Sequence, residues 1–256
     1  MPARFENQAA CRNILCLAGW FFAWLATPDS ALWAADAPAS ILDLSVWKLT
    51  LPVESDRLGT PDEVLQPELA NFSVPDYFAS VEGTAAVKFR APCDGVPTRG
   101  SKYPRTELRE MQPGGTTRAA WGTADGMKHS LSGVVTVTHL PEKKPHLICA
   151  QIHDQEDLIF ALRVEQDKLI VEGKDHPDQV IDKKFVLNQP FQFEIACQNG
   201  EIVLIYNREQ TLKRPATHQG CYFKAGCYTQ SNLQKGDRPD AYGEVVISQL
   251  KVVHSP

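Results

Sequence analysis

The chain has 256 residues, 43% of them hydrophobic and 22% charged, and carries a formal net charge of −5 at neutral pH. That length and apolar content suit one domain with a full core. The negative balance excludes a globally basic polyanion binder, and with it a nucleic-acid partner; an acidic ligand would have to be held by a local basic cluster against the field of the whole molecule.

From the start of the chain, Arg4 and Arg12 precede an apolar run from Ile14 to Ala26, followed by small residues at Ala31, Ala34 and Ala35. This is the pattern of a secretory signal. Residues 1–35 are expected to be a signal peptide and 36–256 a single domain, secreted or periplasmic and monomeric. The apolar run is short for a bilayer span, which needs about 20 residues, so no membrane association is expected after processing. Cleavage near Ala35 removes Arg4, Arg12, Glu6 and Asp29, whose charges cancel, so the mature chain keeps −5. Five cysteines remain: Cys93, Cys149, Cys197, Cys221 and Cys227. An odd number leaves at least one thiol without a partner in the chain. On one strand Cys221 and Cys227 would lie roughly 20 Å apart, far beyond disulfide reach. No spacing resembles a zinc site, so no metal is expected.

The rest is a series of short β-rich runs divided by Gly, Pro, Asn and Asp. Predicted strands are Val46 to Leu51, Ala85 to Arg90, Arg105 to Glu110, Ser130 to His139, His146 to His153, Leu158 to Glu165, Lys168 to Gly173, Phe191 to Cys197, Glu201 to Tyr206, Tyr222 to Tyr228 and Gly243 to His254. Asn199-Gly200 predicts a two-residue hairpin turn, since both residues tolerate positive φ. Pro61 to Asp76 reads as helix or irregular loop. The pattern is all-β and favours a two-sheet sandwich.

Three runs place unusual polar groups on one strand face. Arg105, Glu107 and Arg109 share a face in RTELRE, with Thr106 and Leu108 opposite. Gln151 and His153 share one in QIH. Tyr222, Lys224, Tyr228 and Gln230 do so in YFKAGCYTQ, with Phe223, Ala225 and Cys227 opposite and the side-chain-free Gly226 offering a close approach for a ligand. Any one of these reads as an ordinary solvated face. Together they suit binding a sugar carboxylate, moving a proton and stacking on a pyranose ring. Glu107 between two arginines reads as an ion-pair partner that fixes them, because neighbouring cations lower a carboxyl pKa.

RTELRE, QIH and YFKAGCYTQ resemble the three signature regions of the alginate lyases of polysaccharide lyase family 7, in that family's order. WKLTLP and YGEVVISQLKV resemble its framing strands, so the likeness spans nearly all of residues 36–256. The resemblance implies a β-jelly-roll sandwich with a concave substrate groove, alginate as substrate and no cofactor. It further implies that Arg105 and Gln151 neutralise the uronate carboxylate, with His153 as base and Tyr228 as acid on guluronate. On mannuronate Tyr228 would take both roles. Arg109, Glu107, Lys224, Tyr222 and Gln230 fall to substrate binding, with Glu107 orienting the arginines. Ile152 at the centre of QIH resembles the form associated with guluronate-containing blocks, although alternation points it away from the groove. Three other readings stand beside this one. The same groove describes a noncatalytic acidic-polysaccharide module, and the same chemistry would serve polyglucuronate. A retaining glycoside hydrolase needs two carboxyls about 5 Å apart, and Glu107 has no evident same-face partner.

Overall fold

The computed structural model describes residues 37–256, so the expected signal peptide lies outside the described residues. In chain order the strands are β1 (Trp47–Thr50), β2 (Glu63–Val64), β3 (Phe78–Ser80), β4 (Val87–Pro92), β5 (Arg105–Glu110), β6 (Lys128–His139), β7 (His146–His153) and β8 (Leu158–Glu165). They continue as β9 (Lys168–Gly173), β10 (His176–Asp182), β11 (Phe191–Gln198), β12 (Glu201–Tyr206), β13 (Glu209–Pro215), β14 (Tyr222–Thr229) and β15 (Tyr242–Ser255). No helix among the described residues is long and apolar enough to cross a membrane.

All pairings are antiparallel. One sheet has the order β10-β9-β8-β7-β14-β5-β1-β2, the other β13-β12-β11-β6-β15-β4-β3. The two face each other as the all-β jelly-roll sandwich. Alternation drives this packing. Val87, Phe89 and Ala91 of β4, Phe191, Phe193 and Ile195 of β11, and Val245 and Ile247 of β15 are buried against Leu108, Phe160, Leu162, Phe223 and Ala225 of the facing sheet. Each such side chain contributes about 1.5–3 kcal/mol when removed from water.

The hairpin at Asn199-Gly200 forms with φ of 51° and 76°. Between Pro61 and Asp76 lie the two-residue β2 and a 3₁₀ turn at Glu68–Asn71. Four strands escaped the alternation pattern: β2, β3, β10 and β13. The first two are only two and three residues long. The other two are the outer strands of their sheets and mostly exposed, so burial imposes no period on them. All five cysteines are buried free thiols. Burial pushes Cys149 up to about 12, so it packs as a small hydrophobe.

β14 inserts between β7 and β5, from which it is distant in sequence. Its register sets Lys224 opposite Arg109, Gly226 opposite Glu107 and Tyr228 opposite Arg105 on one side, and Tyr222 opposite His153 and Lys224 opposite Gln151 on the other. Gly226 corrects one expectation. Its φ is 137°, and a Cβ there would stand 2.6 Å from the Thr106 carbonyl oxygen and 3.0 Å from Phe89. The missing side chain lets β14 lie close on β5 and the core where its pairing with β7 bulges; it opens nothing toward a ligand.

A polar seam ties the sheets together behind β5. Glu110, on its inner face, accepts hydrogen bonds from Trp121 Nε1 at 3.0 Å, the Phe223 amide at 2.8 Å and His254 Nε2 at 2.7 Å. His254 Nδ1 meets His129 Nδ1 at 2.6 Å, and His129 Nε2 faces Asp125 at 3.0 Å.

Candidate active site

β5, β14 and β7 of the first sheet floor a groove of about 990 Å³. Eight of the nine residues read from the sequence line it: Arg105, Arg109, Gln151, His153, Tyr222, Lys224, Tyr228 and Gln230. The ninth, Glu107, lies beneath them at 1% exposure. Its carboxylate accepts from Arg105 Nη1 at 2.9 Å, from Lys224 Nζ and from Gln151 Nε2. Burial alone would raise its pKa, but Lys224 and Arg105 beside it overcome that and hold it below the ordinary carboxyl value. Glu107 is thus an ionised anchor for three groove side chains, out of reach of a bound polymer. Lys224, 8% exposed, is pulled down to about 8 by burial, with Arg105 adding repulsion and Glu107 opposing.

His153 is poised as a base. Its Nδ1 lies 2.6 Å from the Asp154 carbonyl oxygen. A carbonyl only accepts, so Nδ1 carries the hydrogen and Nε2 keeps a free lone pair. The turn that presents this carbonyl is fixed by the Asp154 carboxylate, which accepts the Glu156 and Asp157 amides at 2.8 and 2.7 Å. Burial pushes the His153 pKa below 6.5, and Lys224 and Arg105 push it the same way, so the ring is neutral at pH 7.

Each tyrosine ring carries an arginine over it, Tyr222 buried and Tyr228 half-buried. The Arg109 guanidinium lies 3.7 Å over the Tyr222 ring, and the His153 ring stacks 5.6 Å away. At 6% exposure Tyr222 spaces Arg109 from His153 and is no platform for a sugar. Arg105 lies 3.6 Å over the Tyr228 ring, while the Tyr228 hydroxyl is 2.9 Å from Ser101 Oγ. Arg109 makes no ion pair among the described residues, and Arg109 Nε and Gln230 Nε2 are buried without hydrogen-bond partners. Groove cations and donors without protein partners are suited to carboxylates supplied from outside. A neutral imidazole and a phenol flank the same sheet face.

A family model described as alginate lyase matches residues 42–254. Among solved structures, alginate lyase AlgAT5 from polysaccharide lyase family 7 is 42% identical with a TM-score of 0.82, covering 86% of this chain and 99% of its own. The chain belongs to the alginate lyases of polysaccharide lyase family 7. The alginate lyase from Corynebacterium sp. is 39% identical at a TM-score of 0.81, over 86% of this chain and 99% of its own. An alginate lyase of Klebsiella pneumoniae is 24% identical over 86% of this chain and 92% of its own length.

The lyase groove also contains residues that sequence reading did not single out. Thr50, Arg57, Arg99, Ser101 and Arg118 line it from β1 and from loops. Arg57, Arg99 and Arg118 are exposed and, with Arg105, Arg109 and Lys224, offset the carboxylates of Asp56, Asp62, Glu63, Glu156 and Glu172 that share the lining. None lies in an alternating run, so no periodic signal marks them.

Proposed function

We propose that the lyase cleaves 1,4-linked uronate polymer by β-elimination, leaning to guluronate-containing blocks, and leaves an unsaturated uronate at the new end. The observation that carries this reading is the free Nε2 of His153 on the same groove floor as the Tyr228 phenol, with Gln151 on β7 and Arg105 on β5 to either side of β14. Arg105 and the second N–H of the Gln151 amide meet the substrate carboxylate, whose charge grows as C5 loses its proton. Donors in this position are typically worth about 10²–10³ in rate. His153 Nε2 takes the C5 proton, the C4–O bond breaks as C4=C5 forms, and Tyr228 gives its proton to the departing oxygen. General acid–base transfer of this kind contributes about 10²–10⁴. On mannuronate Tyr228 serves as both base and acid once its phenol has lost its proton with help from the nearby Arg105 and Lys224: the phenolate takes the C5 proton and returns it to the departing oxygen. Arg109, Lys224 and Gln230 hold neighbouring carboxylates or hydroxyls.

The buried Tyr222 ring and Arg105 lying over the Tyr228 ring weigh against a noncatalytic module built on aromatic stacking, and a buried, ionised Glu107 against a hydrolytic acid. We further propose that the mature protein is monomeric, free of cofactor and metal, and secreted or periplasmic; support for export is the amino-terminal pattern alone. The test is the ultraviolet absorbance of the conjugated product on polyguluronate, polymannuronate and polyglucuronate, with a chelator present, for the parent, His153→Ala and Tyr228→Phe. Growth fastest on polyguluronate, abolished by His153→Ala in a folded protein, supports the reading. Near-full rates in that variant remove His153 from the mechanism.

A further inference from the structure

Ser101 is not among the groups assigned above, yet it touches one of them. It sits in the loop between β4 and β5, 2.9 Å from the Tyr228 hydroxyl. We propose that Ser101 is a positioning residue for the elimination: its hydroxyl aims the Tyr228 phenol and then donates to it as the phenol gives up its proton. The proposal rests on the reading of Tyr228 as the proton donor.

Proton counting supports it. Ser101 Oγ has one hydrogen and two lone-pair sites. The Tyr103 amide donates to one lone pair at 3.1 Å. Two acceptors compete for the hydrogen, the Tyr103 carbonyl at 3.2 Å and the Tyr228 oxygen at 2.9 Å. While Tyr228 is protonated and idle, its O–H donates to the second lone pair and Ser101 donates to the Tyr103 carbonyl, so every group is satisfied. When Tyr228 turns its hydrogen to the departing C4 oxygen, charge builds on the phenol oxygen. The Ser101 hydroxyl then rotates to donate to it, giving up only the longer contact. Hydrogen bonds to an ionised acceptor are roughly twice as strong as neutral ones, so the interaction grows along the reaction. Growth of that kind accelerates chemistry without tightening substrate binding. Arg105 over the same ring acts in the same sense.

The loop is held where this requires. Val96 N donates to Pro52 O at 2.8 Å, Pro97 bridges to Pro104, and Ser101 N donates to Thr98 O at 2.9 Å. From outside the loop, Asn232 Nδ2 donates to Lys102 O at 2.7 Å and Lys144 Nζ lies 3.3 Å from the Tyr103 hydroxyl. Removing the Ser101 hydroxyl leaves all five contacts in place.

The test compares Ser101→Ala, Ser101→Thr and Tyr228→Phe on alginate by product absorbance, as kcat and KM across pH. Losing a donor to a developing charge predicts a kcat lower by about tenfold to a hundredfold in Ser101→Ala, with KM close to the parent value. Ser101→Thr should restore the rate. Ser101→Cys, nearly isosteric with a weak donor, gives the same reading should alanine loosen the loop. An inactive Tyr228→Phe beside a Ser101→Ala of parental kcat overturns the role of Ser101 alone. A raised KM with parental kcat assigns Ser101 to loop structure and overturns it too. An active Tyr228→Phe overturns the reading beneath the proposal.

Discussion

Replacing Glu107 by glutamine keeps the shape of the anchor but deletes the charge shared by Arg105, Lys224 and Gln151. One carboxylate oxygen takes Arg105 and Lys224, the other Gln151, with all four side chains buried. A glutamine would turn an NH₂ group toward donors at one of these contacts. Breaking a buried pair by removing one partner costs about 3–5 kcal/mol. Lys224 limits the damage, because its pKa is already about 8. Without Glu107 it falls further and the lysine sheds its proton at neutral pH instead of staying charged and unpaired. The cost should therefore sit at the low end, about 3 kcal/mol. For a domain of this size that lowers Tm by roughly 6–12 °C. Activity should fall more steeply than stability, since Arg105 loses its anchor and Lys224 its charge; about a hundredfold in kcat/KM corresponds to one misplaced donor to a developing oxyanion. Thermal melting and product absorbance on the same preparation check both. A variant with parental Tm and parental rate would refute the anchoring role.

Because burial lowers the His153 pKa below 6.5, the neutral base persists to mildly acid pH, and the acid limb of kcat/KM should lie below pH 6.5. The same shift makes stability fall as pH drops through 6.5 toward the folded value, because the unfolded chain takes up the proton first; His153→Gln should remove that slope in denaturant titrations. Gly226→Ala should lower stability by about 2–3 kcal/mol for a side chain at positive φ pressed on β5. It should also slow catalysis by shifting Tyr228 against Arg105, and an active variant of unchanged Tm would refute the tight bulge. His254→Ala leaves buried His129 without its Nδ1 partner and Glu110 with one fewer donor. A loss of about 1–3 kcal/mol in guanidinium unfolding is expected, with parental kcat at 25 °C because the seam lies behind the groove sheet.

Alternation reported the faces of long, half-buried strands well. β5, β7, β8, β9 and β12 have the predicted limits, and the polar face of RTELRE, QIH and YFKAGCYTQ is the groove face. The reason is local: where one side of a strand packs on a core, every second residue must be apolar, and the remaining residues show what the other side is for. β10 and β13, at the outer edges of their sheets, carry no such constraint and gave no signal.

An all-β fold and eight of the groove-lining side chains are legible in local pattern, because strand period and residue chemistry are properties of short segments. Depth and company arise from long-range packing. Nothing local places β14 between β7 and β5, buries Glu107 under three donors, covers the tyrosine rings with arginines or brings Ser101 to Tyr228. Apart from Arg105 and Glu107, neighbours on β5, those contacts join residues from 44 to 127 positions apart, and separations of that size are fixed by sheet order and loop anchoring, which no run of neighbouring residues encodes.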